Sequence, residues 1–276
     1  MQPTETAARA KAFKALHHID KILVLPNCWD VITGRIFEEQ GFPAVATTSF
    51  GIARAHGIKD GLNAALEPCL AMAARIAEAL TVPLTVDIEA AYAETPEQTA
   101  KNAARFAAAG AAGVNIEDGQ DVPGKPLIDM TLAAEKVRAF REGASKAGVP
   151  VFINARTDVF WLNVGEPGAK RIDEVLRRAE AYAKAGADGI FVPGLVAPED
   201  IRRVVGAIGL PLNVLGGPKT PPAAELQALG VKRVSVGSGP MRAALKTLQA
   251  IGEELRDKGT WGYAATAIAY DKANAL

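Results

Sequence analysis

Eight times along the chain, a short run rich in β-branched residues ends in polar residues and gives way to an amphipathic helical stretch. The apolar runs are KILVLPN (21–27), AVATTS (44–49), PLTVDIE, GVNIED, PVFINARTD, GIFVPG, PLNVLG and RVSVGS. Continuous apolar strands alternating with helices imply parallel pairing buried on both faces. Eight such units predict a closed α/β barrel, a (β/α)8 TIM barrel, over a doubly wound open sheet. No GxGxxG opens the first unit, which also speaks against the open sheet.

The helix ends are legible too. Gly41 stands where a C′ residue would stop the helix VITGRIFEEQ. Thr95, Pro96 and Gln98 form a start signal for TPEQTAKNAARFAAAG, as N-cap, first helical residue and capping-box partner. The stretch GIARAHGIKDG after the second strand is expected to be a loop. The expected organisation is a single barrel domain over 1–276. It has a leading segment (1–20) with a helix over Glu5 to His18, and a C-terminal arm (260–276) with no place on a closed barrel, expected to pack on a neighbouring subunit.

Composition narrows the function. Lys+Arg and Asp+Glu balance at 31 each, so there is no basic stripe for nucleic acid, and a small-molecule partner is expected. Cys28 and Cys69 have no CxxC spacing, which points to a reducing cytoplasm without disulfides or a zinc cluster. No apolar run is long enough for a membrane span, and the first residues lack the apolar core of a secretion signal.

Three consecutive strands end in VDIE, NIED and NARTD, placing Asp87, Glu89, Glu117, Asp118 and Arg156 on the face where barrel enzymes build their sites. Clustered carboxylates repel unless a cation neutralises them. Mg2+, which takes one or two protein carboxylates and keeps several waters, suits Asp87, Glu89 and Glu117, with one direct ligand and two acting through water. The acids also have plainer roles open to them, as solvated loop residues or as ion-pair partners of Arg156. Arg156 can clamp a carboxylate or bridge to Glu117 or Asp118. TTSFG (47–51) offers hydroxyls and N–H groups to a substrate carboxylate, or is ordinary turn chemistry. Asp60 reads as a turn residue before Gly61, Asn213 as a ligand contact or a turn partner, and GSGP (237–240) as a phosphate-gripping turn. His17, His18 and His56 are at no strand end, Cys28 reads as a core thiol, and Arg177-Arg178 and Arg202-Arg203 read as solvated helix faces.

These motifs together resemble the isocitrate lyase and phosphoenolpyruvate mutase superfamily. The resemblance runs from PNCWDVITGRIFEEQGFPAVATTSFGIARAHGIKDG through LTVDIEAAY, VNIEDG and FINARTD to VSVGSGPMRAA. It implies a homo-oligomeric, dimeric or tetrameric (β/α)8 barrel that binds Mg2+, or Mn2+, and makes or breaks C–C or P–C bonds in 2-oxo or 2-hydroxy acids. By resemblance Asp87 is the direct metal ligand, with Glu89 and Glu117 acting through water. Thr48, Ser49 and Phe50 grip the substrate carboxylate, Asp60 and Arg156 are the active-site acid and arginine, and the C-terminal helix is exchanged between subunits.

The loop after strand four reads GQDVPGKPLID, without the Cys and His of the family's isocitrate-cleaving members, and Gly194 replaces their glutamate after strand six. The expectation is therefore a lyase on a small 2-hydroxy or 2-oxo dicarboxylate other than an ordinary isocitrate lyase, proceeding through an enolate. Lys125, Asp60 or water is left as proton donor. The alternatives are a phosphonopyruvate-type mutase or hydrolase, and a barrel that binds a 2-oxo acid with little catalysis.

Overall fold

Pro26 divides the first expected strand in two, and the halves face opposite neighbours. The computed structural model describes residues 2–61, 65–120 and 122–276. After α1 (Pro3–Leu16), β1 (Leu23–Leu25) pairs with the last strand, while β2 (Asn27–Cys28) pairs with the next one. The remaining elements are α2 (Val31–Glu39), β3 (Val45–Thr47), α3 (Ser49–Ala55), α4 (Leu66–Ala79), β4 (Leu84–Asp87), α5 (Pro96–Ala108) and β5 (Gly113–Glu117). They continue through α6 (Met130–Lys146), β6 (Phe152–Arg156), α7 (Ala169–Lys184), β7 (Gly189–Val192), α8 (Pro198–Ala207), β8 (Leu212–Leu215), α9 (Ala223–Ala228), β9 (Arg233–Ser235), α10 (Gly239–Lys258) and α11 (Tyr270–Ala275).

Among the described residues the strands of the sheet all pair in parallel, in the order β1-β9-β8-β7-β6-β5-β4-β3-β2. Since β1 and β2 form one stave, this is an eight-stave barrel ringed by helices. Asn27 fastens the closure. Its Nδ2 donates to Thr47 O at 2.7 Å, and its Oδ1 accepts from the backbone N–H groups of Val236 and Gly237, each at 2.9 Å.

Local chemistry explains the element ends. Asp30 and Thr33 form a capping box on α2, as Thr95 and Gln98 do on α5. Gly41, Gly110, Gly148 and Gly186, which follow helices, all have positive φ. Helix α1 closes the N-terminal end of the barrel, where Phe13 meets Phe152 edge-on at 5.5 Å and His17 stacks on Phe152 at 4.0 Å.

The barrel interior is more polar than the strand pattern suggests. Arg233, fully buried, donates to Asn115 Oδ1 at 3.0 Å and lies over the Phe13 ring, while Asn154 Nδ2 donates to the same Asn115 oxygen at 2.9 Å. His17 Nδ1 donates to Phe13 O, and burial, followed by the charge of Arg233, lowers the His17 pKa to about 3.

Two sequence expectations are corrected. The loop expected after the second strand begins with a helix, α3, and Arg178 is not solvated but buried against Asp118. The C-terminal arm folds into a 3-10 turn (Gly262–Thr266) and α11, and Arg35 Nη1 donates to the Leu276 carbonyl of the same chain. Among the described residues no helix is long and apolar enough to cross a membrane.

Candidate active site

The carboxyl ends of β3 to β6 bring Ser49, Asp87, Glu117 and Arg156 to one mouth. Asp87 ends β4, and its Oδ2 accepts from Ser49 Oγ at 2.9 Å and Ser49 N at 3.3 Å, while its own N–H donates to Thr47 Oγ1 at 3.0 Å. Thr48 is the N-cap of α3, so the TTSFG stretch is the first turn of a helix. Its hydroxyl and amide at Ser49 are turned on Asp87.

Glu117 and Arg156 are register partners on β5 and β6, and they form an ion pair at 2.5 Å. The other side of the guanidinium is bound twice by Asp158, Nε to Oδ1 at 2.6 Å and Nη2 to Oδ2 at 2.9 Å. A guanidinium gripped from two sides is held in one orientation before any ligand arrives.

Asp118 behaves differently from its neighbour because successive strand residues face opposite ways. It points out of the mouth and accepts from Arg178 Nη1 at 2.9 Å, Tyr182 Oη at 2.6 Å and Asp158 N at 2.8 Å. Its role is to support Asp158.

Two cavities meet at Asp60, Arg156 and Trp161. One of about 160 Å3 lies over the barrel axis, lined by Ser49, Phe50, Asp87, Phe191 and Ser238 among others; a larger one of about 580 Å3 is lined by Glu89, Glu117, Lys136 and Leu132 among others. Thr48 also lines the axial cavity. Asn213 lines neither; it is buried, and its Nδ2 donates to Ser235 Oγ at 3.1 Å. Lys125 is exposed and lines neither, and Asp121 of the same loop lies outside the described residues. The GSGP turn borders the axial cavity through Gly237 and Ser238, with the N–H of Gly237 committed to Asn27.

The acids crowd one another. Burial, then the charges of Glu117, Asp87 and Asp60, push Glu89 up to about 10. Burial pushes Glu117 up to about 8 against the opposing pull of Arg156, and raises Asp87 against the same cation. Asp60 Oδ1 is buried without a hydrogen-bond partner. Among the described residues no three His, Cys, Asp or Glu side chains are grouped as a ready metal cage. The donor set nonetheless fits a hard dication that keeps its waters. Hard oxygen donors, an orphaned acid oxygen and carboxylates held above their usual range are what such an ion would relieve.

The segment after β4 is strained. Glu89 (φ 52°), Ala91 (φ 66°) and Tyr92 (φ 47°) are left-handed without being glycine, a conformation costing about 1–3 kcal/mol per residue. Asn102 Nδ2 donates to Ala91 O at 2.9 Å and Tyr92 O at 3.2 Å, and Lys136 Nζ donates to Ala93 O at 2.9 Å. Burial lowers Lys136 to about 8.

Sequence reading missed Asp158, Asn27, Asn102 and Lys136. Only Asp158 carried a usable signal, since it stands two residues after Arg156 in NARTD and so shares its face. Asn102 and Lys136 sit on outer helices, where a polar residue reads as solvated. Cys28 and Cys69 are free and buried, and desolvation raises both thiols, Cys69 to about 12, which leaves neither as a nucleophile.

Comparison with known proteins agrees with this fold. The family described as phosphoenolpyruvate phosphomutase matches residues 13–256. A crystal structure from Burkholderia cenocepacia J2315, provisionally assigned as a phosphonomutase, is 41% identical with a TM-score of 0.84, covering 89% of this chain and 99% of that one. A 2-methylisocitrate lyase of Halalkalibacterium halodurans is 29% identical over 94% of this chain and 86% of its own length. A 2,3-dimethylmalate lyase of Eubacterium barkeri is 28% identical over 97% and 93%.

Proposed function

The chain belongs to the phosphoenolpyruvate phosphomutase family, within the isocitrate lyase and phosphoenolpyruvate mutase superfamily, and from that premise we propose that it is a Mg2+-dependent lyase. Its reaction would cleave a C–C bond in a small 2-hydroxy or 2-oxo dicarboxylic acid through an enolate. The observation that carries this reading is Arg156, which lines both cavities and pairs with Glu117, with Asp87 in the axial cavity on one side and Glu89 and Glu117 in the larger cavity on the other.

Asp87 would be the direct ligand, and Glu89 and Glu117 would hold metal-bound waters. Bound there, Mg2+ would supply Lewis acidity to the acid's carboxylate and adjacent oxygen. Ser49 orients Asp87 through its hydroxyl and amide, leaving the other carboxylate oxygen for the ion. Arg156, fixed by Asp158 and Glu117, faces the negative charge that grows on the enolate oxygen. Losing one such preorganised donor costs about 3 kcal/mol. Thr48, Ser49 and Phe50 would wall the substrate end, and Asp60, which lines both cavities, and water are the candidates there for returning a proton.

A second reading, P–C chemistry on a phosphonate, is favoured by the 41% identity to the phosphonomutase-like structure. The exposed apolar side chains of Leu245, Leu248, Leu255, Trp261, Ile268 and Tyr270 support a homo-oligomer that covers α10 and the arm. Two free buried thiols suit a reducing cytoplasm.

The test is a panel of oxaloacetate, 2-hydroxy tricarboxylates, alkylated malates and phosphonopyruvate, followed by 2-oxo acid release and, for the last, phosphorus NMR. Turnover of a carboxylic substrate that stops with chelator is expected. Turnover of phosphonopyruvate alone would move the assignment to P–C chemistry, and no Mg2+-dependent turnover of any compound would refute the reading.

A further inference from the structure

The strained segment after β4 and the two helices behind it carry an assignment of their own. Within four residues, Glu89, Ala91 and Tyr92 all take the left-handed conformation that side chains disfavour, so the surroundings must hold them there. The holding groups come from the outer layer of the barrel. Asn102 on α5 donates both its bonds into the segment, to the carbonyls of Ala91 and Tyr92, and Lys136 on α6 donates to the next carbonyl, Ala93. Both residues are buried, Asn102 at 8% and Lys136 at 3% exposure. The Tyr92 ring lies on Phe106 of α5 at 6.4 Å, and Ala91 N donates to Ile88 O at 2.8 Å. At the front of the same segment, Glu89 faces the larger cavity, and its carbonyl accepts from Glu117 N at 3.0 Å.

We propose that Asn102 and Lys136 are positioning residues, a clamp in the helical layer that keeps the Glu89–Tyr92 segment left-handed and so fixes where the Glu89 carboxylate stands beside Asp87 and Glu117. Asn102 lines neither site cavity and acts through the backbone; Lys136 also lines the larger cavity, and its part in the clamp is the bond to the Ala93 carbonyl. The physical logic is that of an outer shell. A ligand on a strained loop wanders when its backbone partners go, and outer-shell losses commonly weaken metal affinity by about 10- to 100-fold. A glycine at position 91 would adopt φ 66° without strain and relieve one of the three disfavoured residues, lightening what the clamp must hold.

The effect on the ion rests on the metal reading given above, so the test carries a metal-free arm. Mn2+ affinity is measured by calorimetry for the parent, Asn102→Ala, Ala91→Gly and the double variant, and the metal-free crystal structure of Asn102→Ala is determined. The expected result is a loss of about 10-fold in Asn102→Ala, parent-like binding in Ala91→Gly, and partial recovery in the double variant. In the crystal, Ala91 of Asn102→Ala should leave the left-handed region. Unchanged affinity in Asn102→Ala, or a double variant that binds no better than Asn102→Ala, would overturn the clamp.

If the parent itself binds no Mn2+, the metal reading fails and the crystal decides. A relaxed segment upholds the clamp, and a retained left-handed Ala91 overturns it. Should Asn102→Ala fail to fold, Asn102→Leu, close in volume but unable to donate to either carbonyl, takes its place in the same measurements, with recovery by Ala91→Gly again the deciding outcome.

Discussion

Replacing Glu89 with glutamine should make the metal-free protein more stable at pH 8, although it removes a site residue. Glu89 is crowded by Glu117, Asp87 and Asp60, and burial with these charges holds its pKa at about 10, against 4.5 as the ordinary value. Between those two pH values the native protein holds a proton that the unfolded chain has released. Stability therefore falls as pH rises, by up to about 1.4 kcal/mol per pH unit. From pH 4.5 to 8 the ceiling is about 5 kcal/mol, and sharing of the proton among the crowded acids leaves about 2 kcal/mol as the working figure. Glutamine keeps the shape and carries no charge, so the variant lacks this loss.

The assay is urea unfolding with chelator present, at pH 4.5 and pH 8. The difference between variant and parent should be near zero at the lower pH and favour the variant at the higher, by about 5 °C if read as a melting temperature. With saturating Mg2+ at pH 8 the order should reverse, because only the parent gains fully from binding. A variant equally or less stable than the parent at pH 8, with no change of the difference between the two pH values, would refute the idea that acid crowding is relieved only by a cation.

Other consequences are equally direct. His17, lowered to about 3 from 6.5 by burial, is neutral in the native protein where the unfolded chain is protonated. Stability should thus fall on acidification from pH 6.5 toward 3 by up to about 1.4 kcal/mol per unit, and His17→Phe should lose that part of the slope in urea midpoints measured against pH. Arg156→Lys cannot reproduce the double contact with Asp158 and the pair with Glu117, so kcat/KM should drop by about 100-fold or more; a drop of less than threefold would remove Arg156 from the account. Arg178→Met leaves the buried Asp118 without its cation and should cost about 3–5 kcal/mol in unfolding free energy, with a variant as stable as the parent contradicting that role.

Much of this architecture was legible because parallel strands buried on both faces must be continuous and apolar, and because helix ends need caps. Thr95 with Gln98 and the glycine after helix α2 sit where those signals put them. The mouth was legible for a related reason, since strand parity turns Asp87, Glu117 and Arg156 to one side. Other features follow from tertiary partners that a local pattern does not display. Ser49 begins a helix whose N-cap, Thr48, is indistinguishable in sequence from a turn. Arg178 looks solvated on a helix until Asp118 is found beneath it. Asn213 and Arg233 belong to a polar barrel interior that an apolar strand reading excludes. Asn102 and Lys136 act across layers, on carbonyls whose conformation is set by neither residue's own helix.

The central claim, that carboxylates from adjoining strands hold one Mg2+ together with a 2-oxo acid, is tested most directly by calorimetric titration of Mg2+ into the protein with and without oxalate, a planar mimic of the enolate. One ion per chain is expected, with tighter binding when oxalate is present and loss of both heats in Asp87→Ala. Binding that is unchanged in Asp87→Ala, or oxalate affinity indifferent to Mg2+, would contradict it.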